Sequence, residues 1–255
     1  MKNSKLFIAI IIFLIPFTAV NAEPYISASL GWTFNQKLKS INGDENLNYP
    51  LTSSDDGYDP DLFKTGSHYS NIKLKDVLQG GIKAGYYFDS TPNIGIEAEA
   101  NYSQPKMKRQ NVTINIPDLG YMTEDQLPAK VQLLQFNLNG LYRYQGLKDL
   151  TPYIGGGPSI NIIKITGTGW SGHIIDSDFT DPSPASWGPN VHDTSVNIGA
   201  NFKVGAEYHL DKDWGLGAEY HYNWVPIDIS HFRSANNLSA DMTMQSLSVV
   251  LTRHF

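Results

Sequence analysis

The chain contains no cysteine. That excludes a disulfide framework, a thiolate metal site, a cysteine nucleophile and a lipid carried on an N-terminal cysteine. Basic residues are in short supply, 19 Lys+Arg against 25 Asp+Glu in 255 residues, for a formal net charge of -6. That composition argues against a sequence-independent nucleic-acid binder, because binding phosphates without regard to sequence needs a basic surface. Charge of either sign is sparse, at 17%, and no long apolar run occurs after residue 20. A bundle of membrane-crossing helices, each needing about 20 consecutive apolar residues, is thereby excluded. A membrane β-barrel is not, since only every second residue of its strands needs to be apolar.

What is present begins with an address. Lys2 and Lys5 precede the apolar run 6–20, and Val20-Asn21-Ala22 offers small residues at the two positions a signal peptidase reads. Residues 1–22 read as a secretory signal peptide and residues 23–255 as one β-barrel domain.

After Ala22 apolar and polar residues alternate in eight segments: 24–34, 77–88, 93–103, 131–144, 152–164, 196–210, 214–225 and 244–255. Period two is the signature of a strand with two unlike faces. Segment 93–103 sets Ile94, Ile96, Ala98, Ala100 and Tyr102 against Gly95, Glu97, Glu99 and Asn101. Seven charged residues inside these segments fall on the polar face: Lys83, Glu97, Glu99, Arg143, Lys203, Glu207 and Glu219. Lys164 and Arg253, near segment ends, fall on the other. The apolar face is edged with Trp32, Tyr86, Tyr142, Tyr208, Trp214 and Trp224, and aromatic ends on an apolar band are what a bilayer interface selects. The reading is an inside-out cylinder, with apolar side chains toward lipid and charges toward a polar lumen. The links after the second, fourth and sixth segments are short. Those at 35–76, 104–130, 165–195 and 226–243 are long. Strict alternation of short periplasmic turns with long extracellular loops belongs to an antiparallel barrel.

The final segment ends in Phe255 with Leu251, Val249 and Leu247 at alternate positions before it. This resembles the C-terminal signal that the barrel assembly machinery of Gram-negative bacteria recognises, with Arg253 where an apolar residue is usual. Segments 90–100 (Ser-Thr-Pro-Asn-Ile-Gly-Ile-Glu-Ala-Glu-Ala), 151–158 (Thr-Pro-Tyr-Ile-Gly-Gly-Gly-Pro) and 204–220 (from Val-Gly-Ala-Glu-Tyr to Gly-Ala-Glu-Tyr) resemble the small opacity-like surface antigens. They are also similar to the outer-membrane protein A-like eight-stranded barrels and, more distantly, the outer-membrane protein W family. The resemblance covers strands and turns, not the long loops. It implies an all-β, eight-stranded antiparallel transmembrane β-barrel in the cell outer membrane. It further implies a non-enzymatic, cofactor-free surface protein whose loops serve adhesion or host contact. The alternatives are a narrow channel for small solutes and an envelope-integrity protein that binds lipopolysaccharide.

An eight-stranded barrel is filled by its own side chains or holds one small ligand. The seven charges are therefore expected to pair inside it, and the sequence shows no apolar inner lining. Partners expected outside are membrane lipid, lipopolysaccharide, and a host-cell or extracellular surface. Acidic groups at 55–61 and 176–181 read as solvated loops without a metal. Lys106, Lys108 and Arg109 stand where lipid phosphates would be, and Trp170 and Trp187 in the third link could anchor a partner. His231 and Ser234 only loosely resemble a lipid A deacylase motif, at a spacing that puts them on opposite strand faces. Leu216→Lys is expected to impair assembly and Gly217→Ser to be tolerated.

Overall fold

The computed structural model describes residues 22–43, 68–116, 120–126, 129–167, 170–173, 185–187, 191–229 and 238–255. The expected leader lies outside them but for Ala22. Eight long strands form a ring: β1 (Ala22–Gly43), β2 (Val77–Phe88), β3 (Thr91–Ser103), β4 (Ala129–Arg143), β5 (Leu150–Gly167), β6 (Val191–His209), β7 (Trp214–Ile229) and β8 (Leu238–His254). Each pairs antiparallel with the next in the chain. β1 closes the ring by pairing with β8 as well as β2, Ala28 standing opposite Leu251 on one side and Ile82 on the other. Closure leaves the ring no open edge, the condition for a sheet to stand in hydrocarbon.

The outer wall is apolar. Ile26, Leu30, Ile82, Leu138, Ile198 and Val249 are among its many exposed large side chains, Ile82 at 65%. Glu97, Glu99, Lys83, Lys203 and Glu219 point inward and are buried. Burying charge while exposing isoleucine is unfavourable in water and favourable only with hydrocarbon against the wall.

At one level near the long-link end, this polarity reverses. Tyr102, Leu134, Ile162 and Val196 make a row of Cα partners on the outer wall. One outward step higher, the row reads Gln132, Lys164 and Thr194, all exposed. Inside, the change is opposite and falls at the same height: Gln135 and Asn161 give way to Leu133 and Ile163. Above this level the molecule obeys the ordinary rule of a protein in water. Leu38, Ile41, Ile72, Leu74, Met107, Val131, Leu133, Ile163, Ile165, Val225, Ile227, Met242 and Met244 cluster within. The sequence reading of an interior without apolar lining is thus corrected for the upper zone. Alternation there runs in the same residues but in the opposite sense, and the strands extend further than their first pattern suggests.

β1 shows how. It continues past residue 34 through two bulges, at register breaks between Phe34 and Lys37 and between Lys39 and Asn42. Asn35 (φ 51) and Ser40 (φ 49) take the left-handed conformation there. Each bulge adds one unpaired residue, so the inward set passes from Thr33 to Gln36 and Leu38 and then to Ile41.

The long links also carry strands that period two did not reveal. Gln110–Ile116 and Gly120–Gln126 form a hairpin. One edge pairs with His68–Tyr69, itself paired to β1. The other pairs with Trp170–His173, which pairs with Ala185–Trp187. Three long links are thereby joined into one raised sheet continuous with the barrel.

The two substitutions expected from the sequence need revision. Leu216 is on the outer wall, but it lies close to the start of β7 at the short-turn end rather than at mid-height. Gly217 faces inward, and a Cβ there would stand 2.9 Å from the Ala206 carbonyl oxygen. Gly217→Ser therefore forces the β6 backbone to give.

Candidate functional site

The polar interior divides into a middle cluster and a mouth at the short-turn end. In the middle, Lys83 Nζ donates to both carboxylate oxygens of Glu219, at 2.6 and 2.7 Å. Lys203 Nζ donates to Glu97 and lies 3.2 Å from Glu219 Oε2. Tyr153 donates its hydroxyl to Glu219 at 2.7 Å and Tyr25 donates to Glu97 at 2.8 Å. Asn139 donates to Glu97 at 3.1 Å and Asn137 to Glu99 at 3.2 Å. The His221 imidazole bonds Glu219 and faces Glu99 at 3.8 Å. Two lysines and one imidazole thus face three carboxylates. The strands make this arrangement by period two alone, since Lys203 and Glu219 come from adjoining strands and Glu97 and Lys83 from another adjoining pair.

Arg143 and Glu207 do not join this cluster. Both sit at the mouth. Arg143 clamps Glu23 bidentately at 2.5 and 3.1 Å, donates through Nε to the Pro92 carbonyl at 2.7 Å and lies 3.8 Å above the Tyr87 ring. Glu207 meets His254 Nε2 at 2.7 Å, and His254 Nδ1 lies 3.3 Å from Glu23. The mouth opens on a cavity of about 30 Å³ lined by both histidines of the rim, His209 and His254.

Sequence reasoning omitted Glu23, Tyr25, Tyr153, His221 and His254. Glu23 stands between the expected leader, which ends at Ala22, and the first alternating segment, which begins at Pro24, so it fell in neither. His221 was visible on the polar parity of its strand, but as a neutral residue it was not counted among the charges. Period two places Tyr25 and Tyr153 on the inner face as well, but as uncharged residues they do not enter a count of charges.

Side chains in the middle of the lumen have almost no accessible surface: Lys203, Ser159 and Asn161 are at 0%. A water-filled conduit would leave its lining wet. Charges this deep are tolerated only when paired and hydrogen-bonded. The apolar cluster of the upper zone stands between them and the long-link side.

Outside, Leu247, Val249, Leu251 and Phe255 all lie exposed on the outer wall. The Arg253 guanidinium spreads between the rings of Trp214 (5.6 Å) and Phe255 (5.2 Å). At the height where the wall turns polar, lysines from neighbouring segments line up. Lys37 and Lys73 are Cα partners, as are Lys106 and Lys130, with Lys164 one strand further on. Residues 55–61, 176–181, His231 and Ser234 lie outside the described residues. Trp170 and Trp187 are Cα partners in the raised sheet.

The family model described as outer membrane protein beta-barrel domain matches residues 6–255. No curated protein sequence matches the chain. Among solved structures it is similar to the outer membrane protease OmpT from Escherichia coli, with a TM-score of 0.56 and 10% identity over 93% of this chain and 99% of that one. It is also similar to the outer membrane protein OprG from Pseudomonas aeruginosa, with a TM-score of 0.48 and 14% identity over 93% and 98%. A third is Neisserial surface protein A, with a TM-score of 0.47 and 15% identity over 91% and 97%. At such identities the likeness is one of fold.

Proposed function

We propose, for a chain that belongs to the outer membrane protein beta-barrel domain family and resides in the outer membrane, a non-enzymatic display role. The barrel is a stoppered post, and its raised sheet and long links meet host-cell or other extracellular surfaces. One observation carries the reading: the interior is filled by its own side chains, while three long links are joined into a sheet outside the lipid-facing wall. Binding by a display protein resides in the grafted parts rather than the scaffold. A channel would need the reverse, an open interior. Export through a cleaved leader at 1–22 belongs to the same proposal. So does hand-over to the assembly machinery through Leu247, Val249, Leu251 and Phe255, whose outward exposure keeps them readable.

The experiment replaces the hairpin 110–126 by a short turn and records two properties. The variant is expected to keep the heat-modifiable gel migration of a folded barrel while cells expressing it lose surface binding. The parent protein, in planar bilayers, is expected to give no unitary conductance steps. Steps in the parent favour the narrow channel, and unchanged binding in the variant removes the display role.

A second reading has its own support. Lys37, Lys73, Lys106, Lys130 and Lys164 form a basic arc immediately above the apolar wall. That is the depth of the phosphates of an outer-leaflet glycolipid, and ammonium–phosphate contacts are charge-assisted. Binding lipopolysaccharide there would make the protein a stabiliser of the envelope.

A further inference from the structure

The mouth at the short-turn end holds a donor set that neither display nor lipid binding uses. We propose that Glu207, His209 and His254 form a site for a divalent transition-metal ion of the zinc class, open to the periplasm. One ligand atom from each of the three lies within 4.8 Å of the other two. Two imidazoles and a carboxylate with a water in the fourth position are a regular zinc set, and imidazole favours zinc, copper and nickel over magnesium or calcium.

The strands build this set. Glu207 and His209 are two apart on β6, so both face inward, and His254 faces inward near the end of β8. Between them on β7 is Gly215, partnered with His209 on one side and Thr252 on the other. A Cβ at Gly215 would stand 2.5 Å from the Glu207 carboxylate carbon. The glycine leaves the space through which Glu207 crosses to His254; a larger residue there would require the Glu207 side chain to shift.

The outer contacts orient both rings as metal-ligating histidines are oriented. His209 Nε2 lies 2.9 Å from Thr151 Oγ1, which turns Nδ1 toward Glu207, 3.8 Å away. His254 turns Nδ1 toward Glu23, at 3.3 Å, and Nε2 toward Glu207, at 2.7 Å. A carboxylate behind a ligating imidazole fixes its tautomer and raises its basicity, and Arg143 holds that carboxylate in place. Bonds of zinc length set tetrahedral ligand atoms roughly 3.3 Å apart, between the 2.7 and 3.8 Å seen here. The cavity of about 30 Å³ that both histidines line has room for the fourth ligand, a water. Glu99, Glu219 and His221 form a second such triad, but Lys83 and Lys203 already hold ammonium charge against Glu219 and would repel a cation. An ion at the mouth would tie β6 to β8 across β7, beside the seam where β8 meets β1.

The test uses protein extracted from outer membranes in detergent, stripped with a chelator and titrated with Co²⁺ as a coloured stand-in for zinc. The expected result is one Co²⁺ per chain with the intense visible absorption of four-coordinate cobalt, displaced by Zn²⁺. His209→Gln and Glu207→Gln should each weaken uptake at least tenfold. Glu23→Gln, a positioning change, should weaken it by about 10–100-fold, and His68→Gln should leave it unaltered. Heat-modifiable migration verifies that each variant is folded. If a variant does not fold, the parent decides: Zn²⁺ must protect His209 and His254, and not His68, from chemical modification by diethyl pyrocarbonate. No stoichiometric uptake, uptake undiminished in the folded Glu207→Gln/His209→Gln double variant, or absence of protection overturns the site.

Discussion

Lys203→Met should be among the most damaging single changes in the lumen. Its ammonium bonds Glu97 and lies 3.2 Å from Glu219, with no exposed surface. Methionine fits the volume and removes the charge, leaving Glu97, Glu99 and Glu219 to share Lys83 and His221. Removing one partner of a buried ion pair costs about 3–5 kcal/mol, because the other charge stays in a low dielectric without compensation. The loss should appear as a large fall in the urea midpoint of the folded, heat-modifiable form. Adding Glu97→Gln removes one stranded charge and should restore a substantial part of the fall. A double variant no more stable than Lys203→Met alone would show that the pair does not hold the interior together. The gain from the second change is the decisive quantity, since stability lost to the first alone also follows from altered packing.

Ile82→Lys should block accumulation of folded protein in the outer membrane. Ile82 is at mid-strand on the outer wall, 65% exposed, between Ala28 of β1 and Ala100 of β3. A lysine facing lipid near the midplane costs ~2–4 kcal/mol, falling to about 0–1 near the interfaces. Small neighbours give its stem no cover along which to reach water. The paired control is Lys164→Ile, which places an apolar residue on the outer wall above the level where that wall turns polar. It should leave assembly unchanged. If both variants assemble equally well, as judged by the folded fraction in isolated outer membranes, the assignment of the lipid-facing wall is wrong.

The cylinder was readable in the sequence because the bilayer imposes a simple rule on it. Within the lipid-facing zone every strand alternates, and Lys83, Glu97, Glu99, Lys203 and Glu219 could be put on the inner face by counting in twos. Position along the barrel was not readable that way. Parity says which wall a residue is on but not how high, so Arg143 and Glu207 could not be separated from the middle cluster. The upper zone was hidden for a physical reason. Leu133 and Ile163 keep the inward parity of Gln135 and Asn161, so the reversal is one of composition rather than phase. In β1 the phase itself is broken twice, at Asn35 and Ser40. The raised sheet escaped because its strands are short, and a strand such as His68–Tyr69 exists only through partners remote in the chain.

The stopper of aliphatic and methionine side chains above the ion pairs has a consequence for abundance. A pore taxes its owner in proportion to copy number, because every added molecule is another breach in the permeability barrier. A cylinder plugged from within adds wall and no breach. Under the display role proposed above, cells could crowd their envelope with such posts, raising the avidity of contact with an opposing surface, while detergents and antibiotics met the same barrier as before.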